Sequence, residues 1–367
     1  MINQSSSKPR LDKLKAALNK WRLAFLFFAL AYVVVLLLNL TNSPMQWDEV
    51  THLNAGLLLK GGLYEKFVNN AFYPPLFDTV TSVFFRVLDP SLFSARLVPA
   101  VFSILSLGAV FELAYSMYGG KNALLSAVLL GIMPGYFWLS RMALLETMLV
   151  FFVLVALLCF FRWLQNRQDR MLVFSGLAVG LGFLTKYQMI VAGVIMALSI
   201  LFLARGQLKW AFRRFTLLIV TSVLVVTPWI AIGYQVYASK IFSQWLYALQ
   251  VGNPERLMYS DRYPLPIFYF IEMVWPYNSI HPISIFLYIA GLAGLGVLAW
   301  QHNKADKFVL IWFVSVFVFF SFIENKQWRY VLPLFPALAI SAAALILFFY
   351  GKAVSYTHLT LPTIYSV

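Results

Sequence analysis

At 367 residues, 61% of them hydrophobic and only 11% charged, the chain has a mean hydropathy of +0.78, too apolar for a soluble core of this length. Apolar runs of about 18–20 residues recur along it, which makes it an all-α polytopic membrane protein, since a lone helix satisfies its own backbone in lipid. The net charge of +14 invites a nucleic-acid reading that the placement of the charges removes, and a single cysteine, Cys159 in a Leu/Phe run, excludes a disulfide framework or a thiolate metal site.

In chain order, residues 1–22 are basic and polar and read as a cytoplasmic N-terminus. The run Leu23–Leu40 is long enough to stay as a span rather than be cleaved. Further spans are expected at 97–117, 122–139, 144–161, 171–185, 187–204, 215–232, 283–300, 308–323 and 331–350, a bundle of about ten. With the N-terminus inside, more than half of the 28 Lys and Arg fall in short inner segments, whose acids are Asp12, Asp169 and Asp306. That excess sets orientation and accounts for the positive charge without nucleic acid. Glu112 lies near the inner end of the second span; the remaining acids lie toward the outer side.

Two outer segments are long, 41–96 and 233–282, and both are aromatic enough to form helices lying in the interface. Pro74–Asp89 resembles a short span, but a span there would invert every later loop and carry the basic clusters outside. The hydropathy pattern stops after Lys352, so the membrane domain is expected over 23–352 and residues 353–367 read as a non-native or truncated tail.

The candidate chemistry gathers on the outer side. In QWDEVTHLN, Ser43, Pro44 and Gln46 give start signals for a helix running to about Leu59 and stopping at Lys60-Gly61-Gly62. Asp48 and Glu49 then fall in its first turn, and His52 shares a face with Asp48. The plain alternative is that these acids complement the helix dipole. In SRMALLETM, Arg141 marks the outer boundary and Glu146 lies one turn inside a span, where a carboxylate is costly and marks function or a buried ion pair with Arg141 or Arg96. Lys186, between two spans, is either a site residue or a snorkelling anchor. In ENKQWRYVLP, Lys326 and Arg329 place two cations outside, against the inner preference, which suits a bound phosphate or interfacial anchoring beside Trp328 and Tyr330. Arg256 and Arg262 read as solvated. Acids (Asp48, Glu49, Glu146) facing cations (Arg96, Arg141, Lys186, Lys326, Arg329) suit transfer of a group from a phosphate leaving group to a hydroxyl or amine. A lipid-linked phosphate is the natural donor at a membrane edge.

These residues also carry a resemblance. WDE with a following His and Gly, YPPLF followed by SARLVPA, SRMALLETM and WRYVLPLFPAL resemble, in that order over roughly 20–350, the lipid-dependent glycosyltransferases of the GT-C fold, in the branch of the protein O-mannosyltransferases (glycosyltransferase family 39) and the aminoarabinose transferases of lipid A. The resemblance implies a plasma-membrane enzyme with a polyprenyl-phosphate sugar donor, a lipid, glycan or protein acceptor, and inversion at the anomeric carbon. It makes Asp48 the catalytic base with Glu49 beside it and maps a second acid to Glu146. It assigns the lipid phosphate to basic residues of the outer loops, which Lys326 and Arg329 match in position approximately. Some members bind a divalent metal; here His52, Glu49 and Glu146 are the residues to supply ligands. The rival classes are a transporter or lipid flippase, which needs ionisable groups near the midplane, and a noncatalytic scaffold. The enzyme reading requires Asp48 and Glu146 to lie within about one sugar's width of each other.

Overall fold

The computed structural model describes residues 19–70, 73–238, 246, 267–275, 281–323 and 326–359. Each of the ten expected spans overlaps helical structure, one of them broken between two helices, so the count of about ten is borne out in part. α1 is Lys20–Leu37, begun by the Asn19 side chain, which accepts from the Trp21 and Arg22 N–H groups. α2 (Trp47–Lys60), α3 (Tyr64–Asn70) and α4 (Leu76–Leu88) occupy the first long segment, as expected for interfacial helices. α5 is Leu92–Tyr118, and α6 (Gly120–Gly131) and the short α7 (Pro134–Leu139) share the third expected span. α8 (Glu146–Asn166) and α9 (Asp169–Thr185) follow, then a 3₁₀ turn at Tyr187–Met189 leading into α10 (Ile190–Leu203). α11 (Leu208–Tyr237), α12 (Ile267–Glu272), α13 (Ile285–Gln301) and α14 (Lys304–Ser321) lead to a 3₁₀ segment, Trp328–Leu334, continuous with α15 (Phe335–Leu359).

Five of these helical segments are long and apolar enough to cross a membrane by length and composition: α1, α5, α8, α11 with its lead-in, and Trp328–Lys352. The most apolar windows of α8 and the last segment are 72% buried against 11% for α1, so α8 and α15 form the centre and α1 faces lipid. The protein is a multi-pass membrane bundle. Small residues set its closest approaches: Gly176 and Gly180, four apart on α9, lie against Leu218, Thr221 and Val225 of α11, and the Ser222 hydroxyl donates to the Gly176 carbonyl at 3.0 Å. Gly291 and Gly294 of α13 meet Leu338 and Ser341 of α15 in the same way, with Ser341 Oγ donating to the Gly291 carbonyl at 2.8 Å.

Two local expectations are corrected. α2 is begun by Gln46, with Glu49 completing the capping box, not by Ser43 with Gln46, because the Ser43 oxygens accept from Arg96 instead. α5 starts at Leu92, capped by Ser91, so Arg96 lies on a helix rather than in a loop. Arg256, Arg262 and Glu324, like most of the second long segment, lie outside the described residues.

Candidate active site

Asp48 and Glu146 both sit in the first turn of their helices, α2 and α8, where free N–H groups and the dipole favour negative charge. Lys186 caps the C-terminus of α9, the end that favours a cation. Arg329 comes from the 3₁₀ segment ahead of α15. These four meet. Arg329 Nη2 donates to Asp48 Oδ2 at 2.7 Å, and its Nε lies 3.9 Å from Glu146 Oε1 and donates to Gln327 Oε1 at 2.7 Å. Lys186 Nζ donates to Glu146 Oε1 at 3.1 Å. Both acids therefore reach one guanidinium, which is the proximity the enzyme reading requires.

The cluster has a depth gradient. Glu146 and Lys186 are buried, their side chains 5% and 4% exposed, whereas the side chains of Arg329 and Asp48 are 18% and 38% exposed. Asp48 is thus the solvent-facing member. Burial, and then the Arg329 charge, hold the Lys186 ammonium below the usual lysine value, against the pull of Glu146. Tyr330 lies under both cations, its ring 5.0 Å from Lys186 Nζ and 5.6 Å from the Arg329 guanidinium. Tyr73 borders Arg329, Asp48 and Glu146, and burial pushes its phenol well above the usual tyrosine value, so it stays a protonated donor. One buried acceptor, Glu146 Oε2, has no hydrogen-bond partner among the described residues.

Other expected site residues lie elsewhere. Glu49 is fully buried in a two-point pair with Arg96, Nε to Oε1 and Nη2 to Oε2 both at 2.8 Å. Glu49 also accepts from the Ala143 and Gln46 N–H groups, and Arg96 also donates to Leu40, Ser43 and Pro44. Neither has capacity left for a substrate, and Arg96 partners Glu49, not Glu146. Arg141 is spent on the carbonyls of Val35, Leu36, Leu38 and Asn39, closing the C-terminus of α1. Lys326 is buried and donates to the Ile323 carbonyl at 2.6 Å. His52 does not pair with Asp48: its Nδ1 meets Asp78 Oδ1 at 2.8 Å, with Tyr73 and Phe77 against its ring. The donor set for a metal fails the same test, because Glu49 is saturated, His52 is held by Asp78, and Glu146 faces Lys186. Among the described residues no three His, Cys, Asp or Glu side chains converge.

Asp78, Tyr73 and Gln327 were not singled out in the sequence. A buried partner for His52 was to be expected, but nothing local selects a residue 26 positions away. YPPLF, which places Tyr73 and leads into Asp78, carried the signal only as part of a resemblance.

A helical membrane bundle with an acid–base cluster at the ends of its helices defines the class, and its fold is the GT-C glycosyltransferase fold. Residues 73–232 match the family described as dolichyl-phosphate-mannose-protein mannosyltransferase. The chain is similar to the undecaprenyl phosphate-alpha-4-amino-4-deoxy-L-arabinose arabinosyl transferase of Pectobacterium atrosepticum, 27% identical over 269 residues covering 71% of this chain and 46% of that one. Its fold is similar to that of ArnT from Cupriavidus metallidurans in the apo state, with a TM-score of 0.70 at 19% identity, covering 92% of this chain and 62% of that one. The same enzyme bound to undecaprenyl phosphate aligns with a TM-score of 0.62 at 22% identity, covering 92% and 63%. The chain spans about half the length of the curated relative.

Proposed function

We propose that the chain moves a sugar from a polyprenyl-phosphate donor to an acceptor hydroxyl or amine at the outer face of the membrane, with inversion and with Asp48 as general base. The observation that supports this most is the pairing of solvent-facing Asp48 with Arg329, over buried Glu146 and Lys186. The cluster's formal charges cancel, so an arriving phosphate must compete for a cation. Arg329 is the accessible one, and its fork suits phosphate oxygens. Phosphate on Arg329 frees Asp48 beside the incoming acceptor. The acceptor oxygen or nitrogen then bonds to the anomeric carbon and its proton passes to Asp48. The carbon–oxygen bond to phosphate breaks, its electron pair stays on the phosphate, and Arg329 and Lys186 offset that charge. Glu146 holds both cations in place, and its unpartnered Oε2 offers an acceptor for a sugar hydroxyl or amine.

A groove of about 470 Å³ is lined by Leu59, Phe67, Pro75, Val83, Arg86 and Trp229 among others. It lies between the interfacial helices and α11, and its largely apolar lining suits an isoprenoid chain. The outer placement rests on the Lys/Arg bias of the opposite loops.

Asp48→Asn keeps a hydrogen-bond acceptor for Arg329 and removes the base. Transfer from a polyprenyl-phosphate sugar, read as released lipid phosphate by mass spectrometry, should fall by about 10²–10⁴-fold with unfolding temperature unchanged. Normal turnover would remove Asp48 as the base. Arg329→Lys should raise KM for the donor more than for the acceptor.

A further inference from the structure

α8 runs from Glu146, in the acid–base cluster, to Asn166. Its 21 residues, at about 1.5 Å each, span about 31 Å, close to one hydrocarbon thickness. The residues that follow therefore stand at the membrane face opposite the cluster. Arg167, the left-handed C-cap of α8, packs its guanidinium 5.5 Å from the Trp163 ring and 4.8 Å from the Trp210 ring. The two indoles stack at 5.7 Å and 8°. This holds the guanidinium in place without satisfying its N–H groups. Its Nη1 is buried with no hydrogen-bond partner among the described residues, as is Nε1 of fully buried Trp163.

Lys304 arrives at the same corner from the start of α14 and donates to the Leu164 carbonyl at 2.7 Å. Burial and then the Arg167 charge depress its pKa, the mark of two cations facing each other. The free carbonyls and dipole of α8 account for Lys304. They leave Arg167 Nη1 without an acceptor. The nearby acids are engaged elsewhere: Asp169 pairs with Arg214 at 2.8 Å, and Asp306 caps α14 and accepts from Tyr118 at 3.0 Å.

We infer that Arg167, Trp163 and Lys304 form a second anion site, for a phosphate ester at the membrane face opposite the transfer cluster. Two cations and an indole donor, all unmatched by acids, are the chemistry that takes a phosphodiester oxygen. The depth of the site, at the end of a helix one hydrocarbon thickness long, assigns the ester to a phospholipid headgroup of that leaflet.

The test uses the full chain purified in detergent, with binding counted by native mass spectrometry and stability followed by thermal unfolding. The probes are dioctanoyl phosphatidylglycerol, inorganic phosphate and uncharged dioctanoylglycerol. Wild type should bind one phosphatidylglycerol about tenfold more tightly than Arg167→Gln or Lys304→Gln, the loss expected for one charge-assisted hydrogen bond. Arg170→Gln, an exposed change three residues away, should bind as wild type. A shift with inorganic phosphate equal to that with phosphatidylglycerol keeps the anion site but overturns the lipid assignment. Binding by Arg167→Gln and Lys304→Gln within twofold of wild type, or an equal loss in Arg170→Gln, overturns the site. Should Arg167→Gln fail to fold, Arg167→Lys keeps the charge without the fork and should still bind more weakly than wild type.

Discussion

Asp48 and Glu49 are adjacent in the first turn of α2 but about 100° apart around its axis, so one carboxylate faces the protein interior and the other the mouth of the site. Glu49 accepts four hydrogen bonds, two from Arg96 and two from backbone N–H groups. It ties α2 to α5 and to the segment leading into α8. A buried pair broken on one side leaves the other charge stranded, at a cost of about 3–5 kcal/mol. Arg96→Met should therefore lower the unfolding midpoint sharply, and Glu49→Gln in the same protein should recover part of the loss. If Arg96→Met instead left stability intact and cost only donor affinity, Arg96 would return to the phosphate site. At this scale the sequence was legible in part. Charges in apolar surroundings pointed to Asp48, Glu146, Lys186 and Arg329, which do converge. It did not separate these from Glu49, Arg96 and Arg141, because burial and partner choice depend on contacts far apart in the chain, such as Arg329 with Asp48 281 positions away. His52 shows the same limit: the i, i+4 rule suggested Asp48, and the fold supplied Asp78 from α4.

The interfacial helices do two things as elements. They place Asp48 beside Arg329, and with α11 they form the groove lined by Leu59, Phe67, Pro75 and Trp229. Trp47 is 85% exposed at the start of α2, as suits an anchor at the membrane surface. Val83 lines the groove from α4 and is 49% exposed, so a larger side chain fits there without repacking the core. Val83→Trp should cut turnover of a full-length polyprenyl donor by about tenfold while sparing a donor with one or two isoprene units. Equal loss with both donors would place the isoprenoid elsewhere. The α9–α11 contact responds differently. A Cβ on Gly176 would lie 2.6 Å from the Leu218 carbonyl oxygen, so Gly176→Leu must force two backbones apart. Overpacking of this kind costs about 1–3 kcal/mol, and here it also shifts Lys186 at the end of α9, so stability and kcat should fall together. The helices themselves were legible from hydropathy, since a span needs little beyond length and apolarity. Their starts were less so: Gln46 rather than Ser43 begins α2 because Arg96 claims the Ser43 oxygens.

The whole molecule is polar in its charge. Asp48, Glu146, Lys186 and Arg329 occupy one end, while the other carries Arg22, Arg162 and Arg167 with Glu112. Glu112, near the inner end of its span, is held there by two arginines: Arg22 Nη2 and Arg162 Nη2 each lie 3.0 Å from its carboxylate. It therefore belongs to the basic face and not to a midplane relay of the kind a transporter needs. The orientation we propose follows from this asymmetry and is open to direct measurement. In a Cys159→Ser background, single cysteines at Asn42 and Gly206 are both exposed, and a Cβ at Gly206 meets open space. A membrane-impermeant maleimide applied to intact cells should label Asn42→Cys and leave Gly206→Cys unlabelled until the membrane is opened. The reverse pattern would put the Asp48–Arg329 cluster on the cytoplasmic side, where the donor would have to be presented from the inner leaflet and the Lys/Arg bias would have failed as a guide.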